Sequence, residues 1–273
     1  MIRRPPRSTL SSSSAASDVY KRQYHLFAEA EGRTPVLVHD ATNRESMGLD
    51  VDAYIEAIEE DTRIVYITNP HSPSGTWLEE NDVRRIIEAC PNALVVLDEA
   101  YVHYSDTPGY IHLASEYGNL AVLRTFSKAF GLAGLRIGFG IASKPIIDTL
   151  LAVKPTWNMG QLQIAGGIAA LEDDEHVKQT VETIIENRKY VQGRFGELDR
   201  FRMISGSRSN FFLVEILDPD TNSTKVFQEL LERGVIVKDG SISFRGLHDR
   251  FLRCDVNLKS HMDRLVDALA DLP

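Results

Sequence analysis

Residues 125–138 read TFSKAFGLAGLRIG. One lysine, Lys128, stands among apolar, small and hydroxylated residues, with Thr125 and Ser127 beside it and Arg136 eight positions on. A lysine in a partly buried turn is costly unless it is paired or neutral. The stretch follows an apolar run at 120–123 and leads into another at 136–141, so it reads as the loop between two strands. Whatever the lysine does, it does at the end of a strand.

The same pattern recurs upstream. RIVYIT, residues 63–68, is β-branched and aromatic, hence a strand, and runs into NPHSPSG at 69–75, a loop of prolines, glycine and small polar residues. ALVVL, residues 93–97, is a buried strand that runs into DEAY at 98–101. PVLVH at 35–39 is a further short strand. Between them, Val51, Tyr54, Ile55 and Ile58 recur at helical spacing over 49–60, with Asp50 or Asp52 as the cap, and 78–89 is also helical. Strands alternating with helices predict an α/β fold, a mostly parallel sheet sandwiched by helices and covered on both faces. In such sheets ligands gather beyond the carboxyl ends of the strands. The loops NPHSPSG, DEAY and TFSK then point at one crevice.

The second half changes character. Residues 161–171 and 173–198 read as helices, the second long and charged with Val177, Val181, Ile184, Ile185 and Val191 on one stripe. Strands follow at 210–216, 235–238 and 251–256, with helices at 223–233 and 258–269. This predicts a large domain over 24–170, a bridging helix over 171–198 and a smaller α+β domain over 199–273.

Composition narrows the function. The chain has 273 residues, 43% hydrophobic and 25% charged, which is ordinary for a soluble globular protein. A net charge of -9 argues against generic nucleic-acid binding. Two cysteines without a CxxC pattern point to a reducing cytoplasm, and no long apolar run predicts a membrane span. The eight histidines show no metal-ligand spacing. The first 23 residues differ: they carry a net +4 and a four-serine run. A transit peptide or a disordered tail fits that composition, but the stretch is read as foreign adaptor-like sequence and set outside the fold.

Each loop alone is ambiguous. Asp98 could cap a helix or pair with a neighbour, Ser127 and Lys128 could be nucleophile and base, and the glycine turn with Arg136 could cradle an anion. A nucleotide-binding reading lacks the GxxxxGK[ST] loop. Together they suit one chemistry. Pyridoxal phosphate needs a lysine for its aldehyde and an acid to keep its pyridine nitrogen protonated. It also needs hydroxyls and an arginine for its phosphate.

The series NPxxPSG, DEAY, RTFSKAFGLAGLRIGF and LRCDVN resembles the fold-type-I aminotransferases, most specifically the histidinol-phosphate aminotransferase branch. The resemblance covers residue 24 to the end. It implies that Lys128 is the Schiff-base lysine, Asp98 the partner of the pyridine nitrogen and Tyr101 a donor to the ring oxygen. It further implies phosphate binding by Thr125, Ser127 and Arg136, and a bidentate grip by Arg253 on the substrate carboxylate. The reaction implied is transfer of an amino group from an amino acid or amino-alcohol phosphate to a keto acid, in a cytoplasmic homodimer, with no nucleic acid, membrane or metal. A phospho-amino-acid decarboxylase on the same scaffold, or a non-catalytic truncated product, are the alternatives.

The chain departs from the family pattern in two places. Ser72 stands where the family has an asparagine that donates to the ring oxygen, and a hydroxyl offers one donor against the amide's two. The family also has a long region ahead of residue 24, which supplies a glycine-rich phosphate loop and a ring-stacking aromatic. The chain is therefore expected to be a truncated fragment, inactive alone, with exposed apolar surface. Asn69 is expected to brace its loop, while His71 and Lys238 are expected to be solvated.

Overall fold

The computed structural model describes residues 47–244 and 247–273, so the first 23 residues and the strand expected at 35–39 lie outside them. Asp50 caps the first described helix, α1 (Val51–Glu56), by accepting from the Ala53 amide at 3.0 Å. The β-branched runs form β1 (Ile64–Thr68), β2 (Leu94–Asp98) and β3 (Leu120–Thr125), with α2 (Glu80–Ala89) between the first two. These strands are parallel, and β4 (Gly138–Ala142) closes the sheet antiparallel to β3, in the order β1-β2-β3-β4.

Register is what positions the site. Thr68 lies opposite Asp98, Asp98 opposite Leu123, and Thr125 opposite Gly138. The carboxyl ends of β1, β2 and β3 are thus nearly level, and their loops share one edge of the sheet. Gly138 is required there, because a Cβ would sit 2.6 Å from the Arg124 carbonyl oxygen.

Alternation along the strands sends Val65, Ile67, Val95, Leu97, Leu120 and Val122 to one face, where they pack with Val83, Ile86 and Ile87 of α2. The opposite face carries Tyr66, Thr68 and Asp98. The β4 edge departs from the expectation of full cover on both faces: Phe139 and Ile141 are 41% and 40% exposed. Two helices beyond it, α3 (Lys144–Val153) and α4 (Gln161–Leu171), contain no buried residue.

The long helix α5 (Asp174–Phe195) is capped by Asp173. Its Val177, Val181 and Ile184 pack on a cluster of Ala100, Tyr101, Tyr104, Ala129 and Phe211. Further along, Val191 and Phe195 join the core of a second, antiparallel sheet. That sheet contains β5 (Phe201–Met203), β6 (Phe211–Ile216), β7 (Lys238–Asp239) and β8 (Phe251–Asp255), in the order β5-β6-β8-β7. The helices α6 (Ser223–Glu232) and α8 (Lys259–Ala270) contribute Val226, Leu230, Met262 and Leu265 to its core. Strand β5 was not anticipated. Strand β7 is shorter than the expected 235–238 segment and lies later; its last residue, Asp239, pairs with Leu252 and also caps the short helix α7 (Gly240–Ser243), which ends the strand. No helix among the described residues is long and apolar enough to cross a membrane.

Candidate active site

Asp98 ends β2 and is 4% exposed. Its Oδ1 accepts from the Ala100 amide at 3.0 Å, and its Oδ2 accepts from the Tyr66 hydroxyl at 2.5 Å. Both carboxylate oxygens are thus held in place, one by a backbone amide and one by a phenol.

The next residue, Glu99, is fully buried. Its Oε1 accepts from the Tyr110 amide at 2.5 Å, and its Oε2 from Arg124 Nε and Nη2 at 2.9 and 2.7 Å. Burial pushes its carboxyl up, against the opposing pull of the Tyr110 amide and the Arg124 guanidinium. The pair anchors Arg124 under the site. Glu99 is a site residue that the motif DEAY does not single out: its place directly after the buried run of β2 is the one local sign that it needs a buried cation.

Lys128 follows β3 in a tight turn, in which the Gly131 amide donates to the Lys128 carbonyl at 2.9 Å and the Leu132 amide to that of Phe126 at 3.0 Å. Its Nζ lies 4.9 Å from the centre of the Tyr101 ring. Thr125 Oγ1 accepts from the Ser127 amide at 3.1 Å and donates to the Ile137 carbonyl at 3.3 Å, which fixes the hydroxyls beside the lysine. Arg136 takes a left-handed backbone, φ 55°, and its Nη1 donates to the Ala133 carbonyl at 2.9 Å.

Asp98, Tyr101, Thr125, Ser127, Lys128 and Arg136 all line one open cavity of about 870 Å³. Arg124, Lys238, Ile242 and Ser243 line it too. Lys238 was expected in solvent; the antiparallel pairing of Lys238 with Arg253 turns it inward instead. The cavity therefore holds several cations around one carboxylate and suits an anionic ligand.

Two expected site residues stand apart from this lining. Arg253 is 3% exposed, stacks 4.3 Å above the Phe211 ring and donates from Nη2 to Asp255 Oδ1 at 2.7 Å. Ser72 is 1% exposed, its amide donates to Thr68 Oγ1 at 3.3 Å, and its hydroxyl has no hydrogen-bond partner among the described residues. Such an orphan is costly. Asn69 braces the loop: its amide group exchanges bonds with the Leu78 carbonyl and amide at 3.0 and 2.9 Å. His71 is not solvated as expected; it is 5% exposed, with Nδ1 2.7 Å from Ser74 Oγ. Burial and the charge of Arg124 push His103, beside the site, below its ordinary value.

Comparison with known proteins gives this geometry a family. Residues 17–269 match the family described as aminotransferase class I and II. A histidinol-phosphate aminotransferase of Methanopyrus kandleri is 36% identical over 224 residues, 82% of this chain and 56% of that protein. The chain thus spans little more than half the length of that relative. Among solved structures, the histidinol-phosphate aminotransferase of Clostridium acetobutylicum superposes with a TM-score of 0.86 at 22% identity, over 96% of this chain and 78% of the other. That of Sinorhizobium meliloti, solved with pyridoxal-5'-phosphate, gives 0.82 at 24% identity, over 95% and 70%. At these identities the structures show the fold alone.

Proposed function

The chain belongs to the class I and II aminotransferases, and from that premise we propose that the protein is a pyridoxal-phosphate-dependent transaminase of the histidinol-phosphate type. It would move an amino group between an amino acid or amino-alcohol phosphate and a keto acid. The observation that carries this reading is that Lys128 and Asp98, from the ends of two different strands, line one cavity with Tyr101 between cations and hydroxyls. The buried hydroxyl of Ser72 is a further donor with no acceptor among the described residues.

Bound there, the cofactor would supply an aldehyde for the amino group and a ring that accepts electrons from the substrate. Lys128 would be the amine to hold that aldehyde and the base to move a proton at the substrate Cα. Asp98, held at both oxygens, would face the pyridine nitrogen and keep it protonated. Tyr101 and Ser72 would donate to the ring oxygen, and Thr125, Ser127 and Arg136 to the phosphate. Lys238 adds a cation at the same cavity for an anionic substrate. Arg253 would reach a substrate carboxylate by exchanging its Asp255 partner for it. The complete protein is proposed as a cytoplasmic homodimer.

The test is chemical. The chain is mixed with pyridoxal phosphate, reduced with borohydride and digested, and the peptide masses are read. The expected adduct is on the peptide carrying Lys128. Amino transfer from histidinol phosphate that needs a keto acid then supports the reaction. Carbon dioxide release without a keto acid would instead mark a decarboxylase, and absence of the adduct a non-catalytic chain.

A further inference from the structure

Tyr66 is 5% exposed and lies two positions before the end of β1. Because side chains alternate along a strand, it shares a sheet face with Thr68, whose register partner is Asp98. Its hydroxyl meets Asp98 Oδ2 at 2.5 Å. The Tyr66 backbone is itself pinned, since the Tyr54 hydroxyl donates to its carbonyl at 2.7 Å. The other carboxylate oxygen, Oδ1, is held by the Ala100 amide at 3.0 Å. A phenol donating to a carboxylate makes a charge-assisted bond, stronger and more directional than a neutral one. The acid is thus gripped at both oxygens by groups that themselves have little freedom.

We propose that Tyr66 is a positioning residue for Asp98, fixing the orientation of its carboxylate. It thereby sets how firmly the acid holds a proton on the nitrogen of a bound pyridine ring. This rests on the cofactor reading of the same site. Without the phenol, Asp98 is freer to turn away from the nitrogen, and the ring holds its proton less firmly.

The experiment is a double-mutant cycle read by cofactor absorbance, with Tyr66→Phe, Asp98→Asn and the double variant beside the unaltered chain. Phenylalanine keeps the ring that packs against the sheet, and circular dichroism checks that each variant folds. Two quantities are read: the Kd for pyridoxal phosphate, and the pH midpoint of the absorbance change of the bound cofactor. Tyr66→Phe is expected to weaken binding roughly tenfold or more, as for the loss of a bond to a charged group. It is also expected to shift the pH midpoint by on the order of one unit. In the Asp98→Asn background the same substitution is expected to add little to either, because its effect runs through that carboxylate. Unaltered values for Tyr66→Phe, or full additivity with Asp98→Asn, would overturn the proposal. If the unaltered chain takes up no cofactor, the cofactor reading fails and this proposal fails with it.

Discussion

The Lys128 amine and the Arg253 guanidinium sit at opposite ends of one aromatic pair. Lys128 Nζ lies 4.9 Å from the Tyr101 ring centre, Tyr101 meets Phe211 edge-on at 4.8 Å, and Arg253 lies 4.3 Å above Phe211. Tyr101 belongs to the loop after β2 of the first sheet, and Phe211 opens β6 of the second. The residue that would hold the cofactor and the one that would hold the substrate carboxylate are therefore coupled through packing between the two sheets.

Phe211→Ala should unseat both ends of that pair. The side chain is fully buried, so its removal is expected to cost roughly 3–5 kcal/mol, including the cavity left behind. Urea denaturation checks this. A cost within ±0.5 kcal/mol, as for an ordinary surface substitution, would mean that the contact does not join the sheets.

Lys128→Arg separates charge from chemistry. Arginine keeps a cation near Tyr101 but offers no amine to an aldehyde. The variant is expected to fold with unchanged circular dichroism and to yield no borohydride-fixed cofactor on the 125–138 peptide. An adduct of unaltered yield on that peptide would place the reactive amine elsewhere.

Gly75→Ala should strain the loop that ends β1. Gly75 has φ 78°, and an added Cβ would lie 2.1 Å from Ser207 Oγ and 2.8 Å from Ser207 Cβ. The Gly75 carbonyl also accepts from the Arg208 amide at 2.7 Å, so the loop is sewn to the 207–208 segment. The substitution is expected to cost about 1–3 kcal/mol from backbone conformation alone, with overlap added. Combining it with Ser207→Gly relieves the overlap but not the conformation, so thermal unfolding should recover only part of the loss.

These contacts mark how far the sequence could be read. Strands β1, β2 and β3 were legible because β-branched runs stop at proline, glycine or aspartate, and the convergence of Lys128 with Asp98 follows from strand ends meeting at one edge. Helix α3 was not, since KPIIDTLLAV carries no clean polar stripe and Pro145, in its first turn, starts the helix rather than breaking it. Tyr66 read as one more apolar strand residue; nothing local tells which carboxylate a phenol reaches across a sheet. The same holds for Arg253, whose seat depends on Phe211 and Phe244 arriving from elsewhere in the chain.

Both thiols should be inert in the native state. Cys90 is 4% exposed and Cys254 1%. Burial pushes the Cys90 thiol up to about 11 and raises Cys254 further still. Since the thiolate is the nucleophile, a thiol reagent at neutral pH is expected to label neither residue while the chain is folded, and both in denaturant. Rapid labelling of either in the folded protein would contradict the packing around it.

Asp239 supplies the acid dependence of the second sheet. It is 3% exposed, and burial alone would push its carboxyl up. The hydroxyls of Ser223, Thr224 and Ser241, at 2.5, 2.7 and 2.8 Å, with the Ser241 amide at 2.9 Å, outweigh burial and hold the carboxyl below its usual 3.8. A carboxylate with a lowered folded-state value binds protons less readily when folded than when unfolded. Its stabilisation is therefore full well above 3.8 and is lost as pH falls through the lowered value. Asp239→Asn removes the charge while keeping the size. At neutral pH it is expected to cost about 1.5–3 kcal/mol, the worth of a bond to a charged group. The gap from the unaltered chain should narrow as the pH drops below 3.8, where Asp239 itself becomes neutral. Because Asp239 also caps α7, which brings Ile242 and Ser243 to the cavity beside Lys238, the variant should loosen that rim. Urea denaturation across the acid range reads the first effect, and amide exchange at 240–243 the second. A stability gap that stays constant from neutral pH to strong acid would show that the Asp239 charge has no part in holding the rim.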